Sequence, residues 1–132
     1  MPTTNGRNLT LITVDNNVTV RVEYNAVFNS LERHLAANGL VFEERISVLG
    51  VDPPGTVTGT TLHYFPVQIL PVIAGAGSQT IARNRSLTVS RASLQEDAGL
   101  GDDDEIRCRI EVRASGLPTT IADFTDQKIL VG

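Results

Sequence analysis

The chain has 132 residues, 41% hydrophobic and 20% charged, a size that suits one core of about 100–150 residues and a composition that excludes disordered, collagen-like and membrane classes. Eleven basic residues against fifteen acidic ones leave a net charge of −4, which disfavours nucleic acid or anionic lipid as a general partner. Cys108 is the single cysteine, so neither a disulfide framework nor a multi-cysteine zinc site forms within this chain.

The first residues, Met1-Pro2-Thr3-Thr4-Asn5-Gly6-Arg7, lack the basic start and apolar run of a secretory signal. They imply a cytoplasmic chain, or one processed or exported by another route. Leu9, Leu11, Ile12 and Val14, then Val18, Val20, Val22 and Tyr24 alternating with Thr19, Arg21 and Glu23, predict two strands. Asp15-Asn16-Asn17 tolerates positive φ and predicts a tight hairpin between them. Clean alternation puts one face in the core and one in water.

Asn29-Ser30-Leu31-Glu32 has capping-box form, predicting a short helix that ends at Asn38-Gly39. Leu31 and Leu35, four apart, give it an apolar face suited to a lid or an inter-strand connector. A third strand is expected over about 40–49, with Phe42, Ile46 and Val48 on one parity and Glu44 interrupting that apolar row. Asp52-Pro53-Pro54-Gly55 breaks the ladder. Thr61 to Leu70 reads as an edge strand damaged by Pro66.

Tyr64 to Gly77 is the longest apolar stretch, interrupted by Pro66 and Pro71 and shorter than the ~20 residues a spanning helix needs. Ala74-Gly75-Ala76-Gly77-Ser78 is a small-residue loop without the lysine of a phosphate-binding loop. Another strand is expected over about 80–91. The most regular alternation follows, with Ile106, Cys108, Ile110 and Val112 inward and Arg107, Arg109, Glu111 and Arg113 outward. Gly116-Leu117-Pro118 ends it, and 128–131 predicts a last short strand. The elements together predict one all-β domain over 1–132, an antiparallel β-sandwich with one short helix, which resembles Ig-like or C2-like sandwiches in pattern alone.

Three constellations bear on function. Glu96, Asp97, Asp102, Asp103, Asp104 and Glu105 form an acidic loop with oxygens of the kind calcium takes, against the simpler reading of a solvated turn. Arg107, Arg109 and Arg113 share a sheet face, suited to cross-strand salt bridges or to an anionic ligand. Tyr64, Phe65, Val67 and Ile69 lie on an apolar edge segment that closes the core or pairs with another chain, a second copy included. Asn8, Asn17 and Asn84 each head an Asn-x-Ser/Thr triplet, meaningful only in a eukaryotic secretory route.

Catalysis has no motif behind it. His34 and His63 lack metal-ligand spacing, Cys108 sits at an inward parity, and no Gly-x-Ser-x-Gly elbow occurs. Six aromatic residues and no tryptophan give thin provision for stacking sugars or bases. The expected function is therefore a non-catalytic interaction or structural module, self-associating or part of an assembly, with no cofactor. A calcium-dependent ligand- or membrane-surface-binding module is the alternative, and a small enzyme ranks third.

Overall fold

The computed structural model describes residues 2–51, 60–94, 104–115, 123–126 and 128–130. The hairpin forms as its alternation requires, from β1 (Thr3–Val14) and β2 (Asn17–Phe28), with Asp15 at φ 55° in the turn. A bulge between Asn5 and Asn8 bends β1, and Gly6 takes φ 63° there, a conformation that glycine adopts without a Cβ penalty. The helix α1 (Ser30–Ala37) starts at the predicted capping box: Asn29 Oδ1 accepts from Glu32 N, and Glu32 Oε1 accepts from Asn29 N, both at 2.8 Å.

The expected apolar lid face of α1 is corrected. Leu31 and Leu35 point into solvent, and Glu32, held by the capping box, is the buried residue of the helix. What anchors α1 is Arg33, whose guanidinium donates to the carbonyls of Ile73, Ala74, Ala76 and Gly77 at 2.9–3.3 Å. Gly75 lets the loop wrap that closely, since a Cβ there would stand 2.1 Å from Arg33 Nη2.

β3 (Phe42–Val51) runs antiparallel to β7 (Asp104–Ala114). The damaged edge strand proves to be two pieces, β4 (Thr60–Tyr64) and β5 (Gln68–Ile69), both paired with β3. Pro66 lies between them, where a residue without an N–H cannot continue the ladder. β6 (Gln79–Ser90) pairs with β2, and a single 3-10 turn, Arg91–Leu94, follows it. β8 (Asp123–Phe124), which the sequence pattern does not announce, and β9 (Lys128–Leu130) both lie against β7. The turns expected at Asp52–Gly55 and Gly116–Pro118 lie outside the described residues.

Among the described residues the strands form two antiparallel sheets, β1-β2-β6 and β4-β3-β7-β8, with β5 and β9 added to the second. Val18, Val20, Val22, Ala26 and Phe28 from the first sheet face Phe42, Ile46, Val48, Ile106, Cys108 and Ile110 from the second, all of them buried. Phe28 and Phe42 meet edge to face across the interior, 5.1 Å between centroids, the arrangement ring quadrupoles favour. The 123–126 segment closes one flank: Arg7 Nε donates to Phe124 O and Leu9 N to Asp126 Oδ1, each at 2.9 Å, while Thr4 Oγ1 donates to Asp123 Oδ2 at 2.6 Å. Among the described residues, β6 and β4 end their sheets with no strand on the outer side.

Candidate functional site

Glu44, the residue that breaks the apolar parity of β3, points into the sandwich and is 0% exposed. A carboxylate there must be fully partnered. Tyr24 Oη donates to Glu44 Oε2, Arg83 Nε donates to the same oxygen at 2.9 Å, and Arg85 Nη1 donates to Oε1. The guanidiniums engage a second layer as well: Arg83 Nη2 donates to Gln68 Oε1 at 2.5 Å and Arg85 Nη2 to Pro66 O at 3.0 Å. Arg85 also lies over the Phe65 ring, 5.8 Å from its centroid.

Burial, then the hydrogen bond to Glu44, push the Tyr24 phenol far above its ordinary range. Burial pulls the Arg83 guanidinium down, but the bond and the charge of Glu44 prevail and leave it raised. The cluster is therefore two fixed cations and a neutral phenol around one carboxylate. It ties β2 and β6 of one sheet to β3 and β5 of the other. The sequence does contain its signal, because Glu44 on one strand and Arg83 and Arg85 on another all sit at inward parity with opposite signs.

On the outer face of the larger sheet, Arg45, Ile46, Ser47, Thr61, Tyr64, Phe65, Val67, Arg109 and Glu111 line a groove of about 310 Å³. Four of the residues expected to interact are thus brought together: Tyr64, Phe65, Val67 and Arg109. Phe65 forms the floor and is buried, whereas Tyr64 and Val67 stand 73% and 51% exposed on the rim, with Ile69 beside them at 69%. Two backbone bonds position this segment: Phe65 N donates to Ile46 O at 2.8 Å and Leu70 N to Phe42 O at 2.9 Å.

The charges of this face are laced together. Arg109 pairs with Glu111 at 2.8 Å, and Arg45 and Arg113 share Glu43 Oε1 at 3.3 and 3.1 Å. Arg107 lies outside the groove, over the Phe124 ring at 5.6 Å. Of these ion pairs only Arg113–Glu43 crosses the ladder, as opposite charges on neighbouring strands do; Arg45–Glu43 and Arg109–Glu111 join residues two apart on one strand. Of the acidic loop, Glu96, Asp97, Asp102 and Asp103 lie outside the described residues, while Asp104 and Glu105 open β7.

Burial pushes the Cys108 thiol up to about 12, which leaves no thiolate for nucleophilic attack near neutral pH. The fold does place His63 Nε2 2.8 Å from Ser93 Oγ, a pairing that sequence reading missed. Ser93 Oγ, however, donates to Ser90 O at 2.6 Å. Its proton is committed to the backbone, so the imidazole serves as donor to Oγ instead of a base that withdraws from it. His34 lies on α1, where its carbonyl accepts from Asn38 Nδ2 at 2.9 Å.

No family model matches the chain, and no curated protein sequence matches it. Among solved structures, the fold is similar to a bacterial adhesin from Mobiluncus mulieris containing intramolecular disulfide, isopeptide and ester bond cross-links. The TM-score is 0.55 at 12% sequence identity, covering 94% of this chain and 48% of the adhesin chain. This chain thus spans about half the length of that structure, and the likeness is one of fold. The lone cysteine rules out a disulfide within this chain. Its one lysine, Lys128, forms an exposed salt bridge with Asp126 at 3.1 Å.

Proposed function

We propose that this chain is a non-catalytic β-sandwich module of an adhesive or structural assembly that docks a second copy of itself along the Tyr64–Ile69 flank. The observation that carries the reading is the rim of Tyr64, Val67 and Ile69, standing in solvent beside Arg45, Arg109 and Glu111 on the outer face of the larger sheet. Exposed apolar residues rimmed by polar ones are the composition of a contact surface. A face that carries both arginines and glutamates can also complement itself across a two-fold axis, with its internal pairs exchanging partners between the copies. The fold shared with an adhesin supports the same class of function.

Sedimentation velocity tests the proposal. At about 100 µM, in the range where small interfaces associate, the wild type is expected to show a dimer, and Val67→Asp a monomer with unchanged circular dichroism. A wild type that stays monomeric throughout, or a Val67→Asp dimer as tight as the wild type, would contradict it.

A further inference from the structure

β6 is a 12-residue strand with uninterrupted register against β2, and among the described residues no strand lies on its other side. It has neither a proline nor a lysine, two residues that commonly blunt a free edge. Its backbone phase follows from Arg91 N, which donates to Asn16 O at 2.7 Å, one step beyond the Asn17–Ser90 pair. In an antiparallel ladder bonded pairs alternate with unbonded ones, so the odd-numbered residues of β6 bond to β2. Thr80, Ala82, Asn84, Ser86 and Thr88 then turn their N–H and C=O groups to the free edge. All five are exposed and have small side chains, so another backbone can approach closely.

The inner face of the same edge has a specific chemistry. Ile81, Leu87 and Val89 are only partly covered where they pack on the core. Between them lie Arg83 and Arg85, two guanidiniums sharing one carboxylate, Glu44. The inner side of this strand therefore carries one more positive than negative charge, on guanidiniums 16% and 10% exposed and flanked by apolar side chains. We propose that β6 accepts an extended strand from another protein, bearing a carboxylate opposite Arg83 and Arg85 and apolar side chains opposite Ile81 and Leu87. Such a strand extends the smaller sheet through main-chain bonds and balances the two arginines. A second copy of β6 is the wrong occupant, since two-fold antiparallel pairing sets arginine against arginine. This site is separate from the groove.

The test uses the full chain and two fluorescein-labelled peptides, Thr-Val-Thr-Val-Thr-Glu-Thr-Val-Thr-Val-Thr and the same sequence with Lys for Glu. By fluorescence anisotropy the Glu peptide is expected to bind at least about tenfold more tightly, because like charges across an interface are repelled. Hydrogen exchange should slow at the amides of Ala82, Asn84 and Ser86. Arg83→Gln should erase the difference between the peptides, whereas Val67→Asp, in the groove, should leave it intact. Ser86→Pro, which removes an edge N–H, should weaken binding of the Glu peptide; should that variant unfold, the exchange pattern of the wild type decides. Equal affinity for both peptides, no binding of either, or unchanged exchange along β6 would overturn the proposal.

Discussion

Glu44→Gln removes one negative charge from the centre of the sandwich while keeping the side chain's shape. Glu44 is fully buried and bonded to Tyr24, Arg83 and Arg85, so the variant leaves two guanidiniums side by side without a counter-charge. Removing one partner of a buried ion cluster costs about 3–5 kcal/mol. For a domain of this size that lowers Tm by about 10–20 °C. The assay is urea unfolding followed by circular dichroism at 25 °C, with thermal melts alongside. Arg45→Gln, which touches an exposed pair on the outer face, is the control and should cost under about 1 kcal/mol. Replacing the cluster together, as Glu44→Leu with Tyr24→Phe, Arg83→Leu and Arg85→Met, should recover most of the loss, because well-packed apolar groups substitute for buried ion clusters at little cost. A Glu44→Gln variant as stable as the Arg45→Gln control would refute the reasoning.

Burial pushes the Cys108 thiol from its ordinary value near 9.0 up to about 12 in the fold, so the folded state favours the neutral thiol. Its contribution is complete below about pH 9 and is lost as pH rises toward 12; by pH 11 the loss is about 2–3 kcal/mol. Urea unfolding at pH 8 and pH 11 should show a smaller drop for Cys108→Val than for the wild type, and equal drops would contradict the assignment. A thiol reagent at pH 8 should label Cys108 only in denaturant. Gly75→Ala places a methyl against the Arg33 guanidinium and should free the 73–77 carbonyls, raising hydrogen exchange through that loop and the start of α1; unchanged exchange would show that Arg33 is not the anchor.

The strands with strict alternation were legible because period two is enforced wherever one face meets a core and the other meets water. β2, β3, β6 and β7 fall within a few residues of their expected spans for that reason. The helix start was legible because a capping box is a local device. Its outer leucines misled, since the contact that holds α1 runs from Arg33 to a loop 40 residues later in the chain, and no local spacing encodes it. β8 was missed because two residues carry no period; buried Thr125 fixes the segment, accepting from Cys108 N through its hydroxyl and donating its own N–H to Cys108 O. The groove was half legible. Arg109 is outward by parity, but Tyr64 and Val67 lie on an apolar segment that reads equally as closing the core, and only the β3-β4 and β3-β7 registers bring the three together. Glu44 looked like a flaw in an apolar row and proves to be the tie between the sheets.

The most direct test of the docking account is a dilution series of two-dimensional amide spectra between about 10 and 500 µM, a range that brackets weak self-association. Concentration-dependent shifts confined to Arg45, Tyr64, Val67, Ile69 and Arg109 are predicted, with the core amides of β2 unmoved. Spectra that superimpose across the whole series, or shifts that fall on the outer face of the β1-β2-β6 sheet instead, would contradict it.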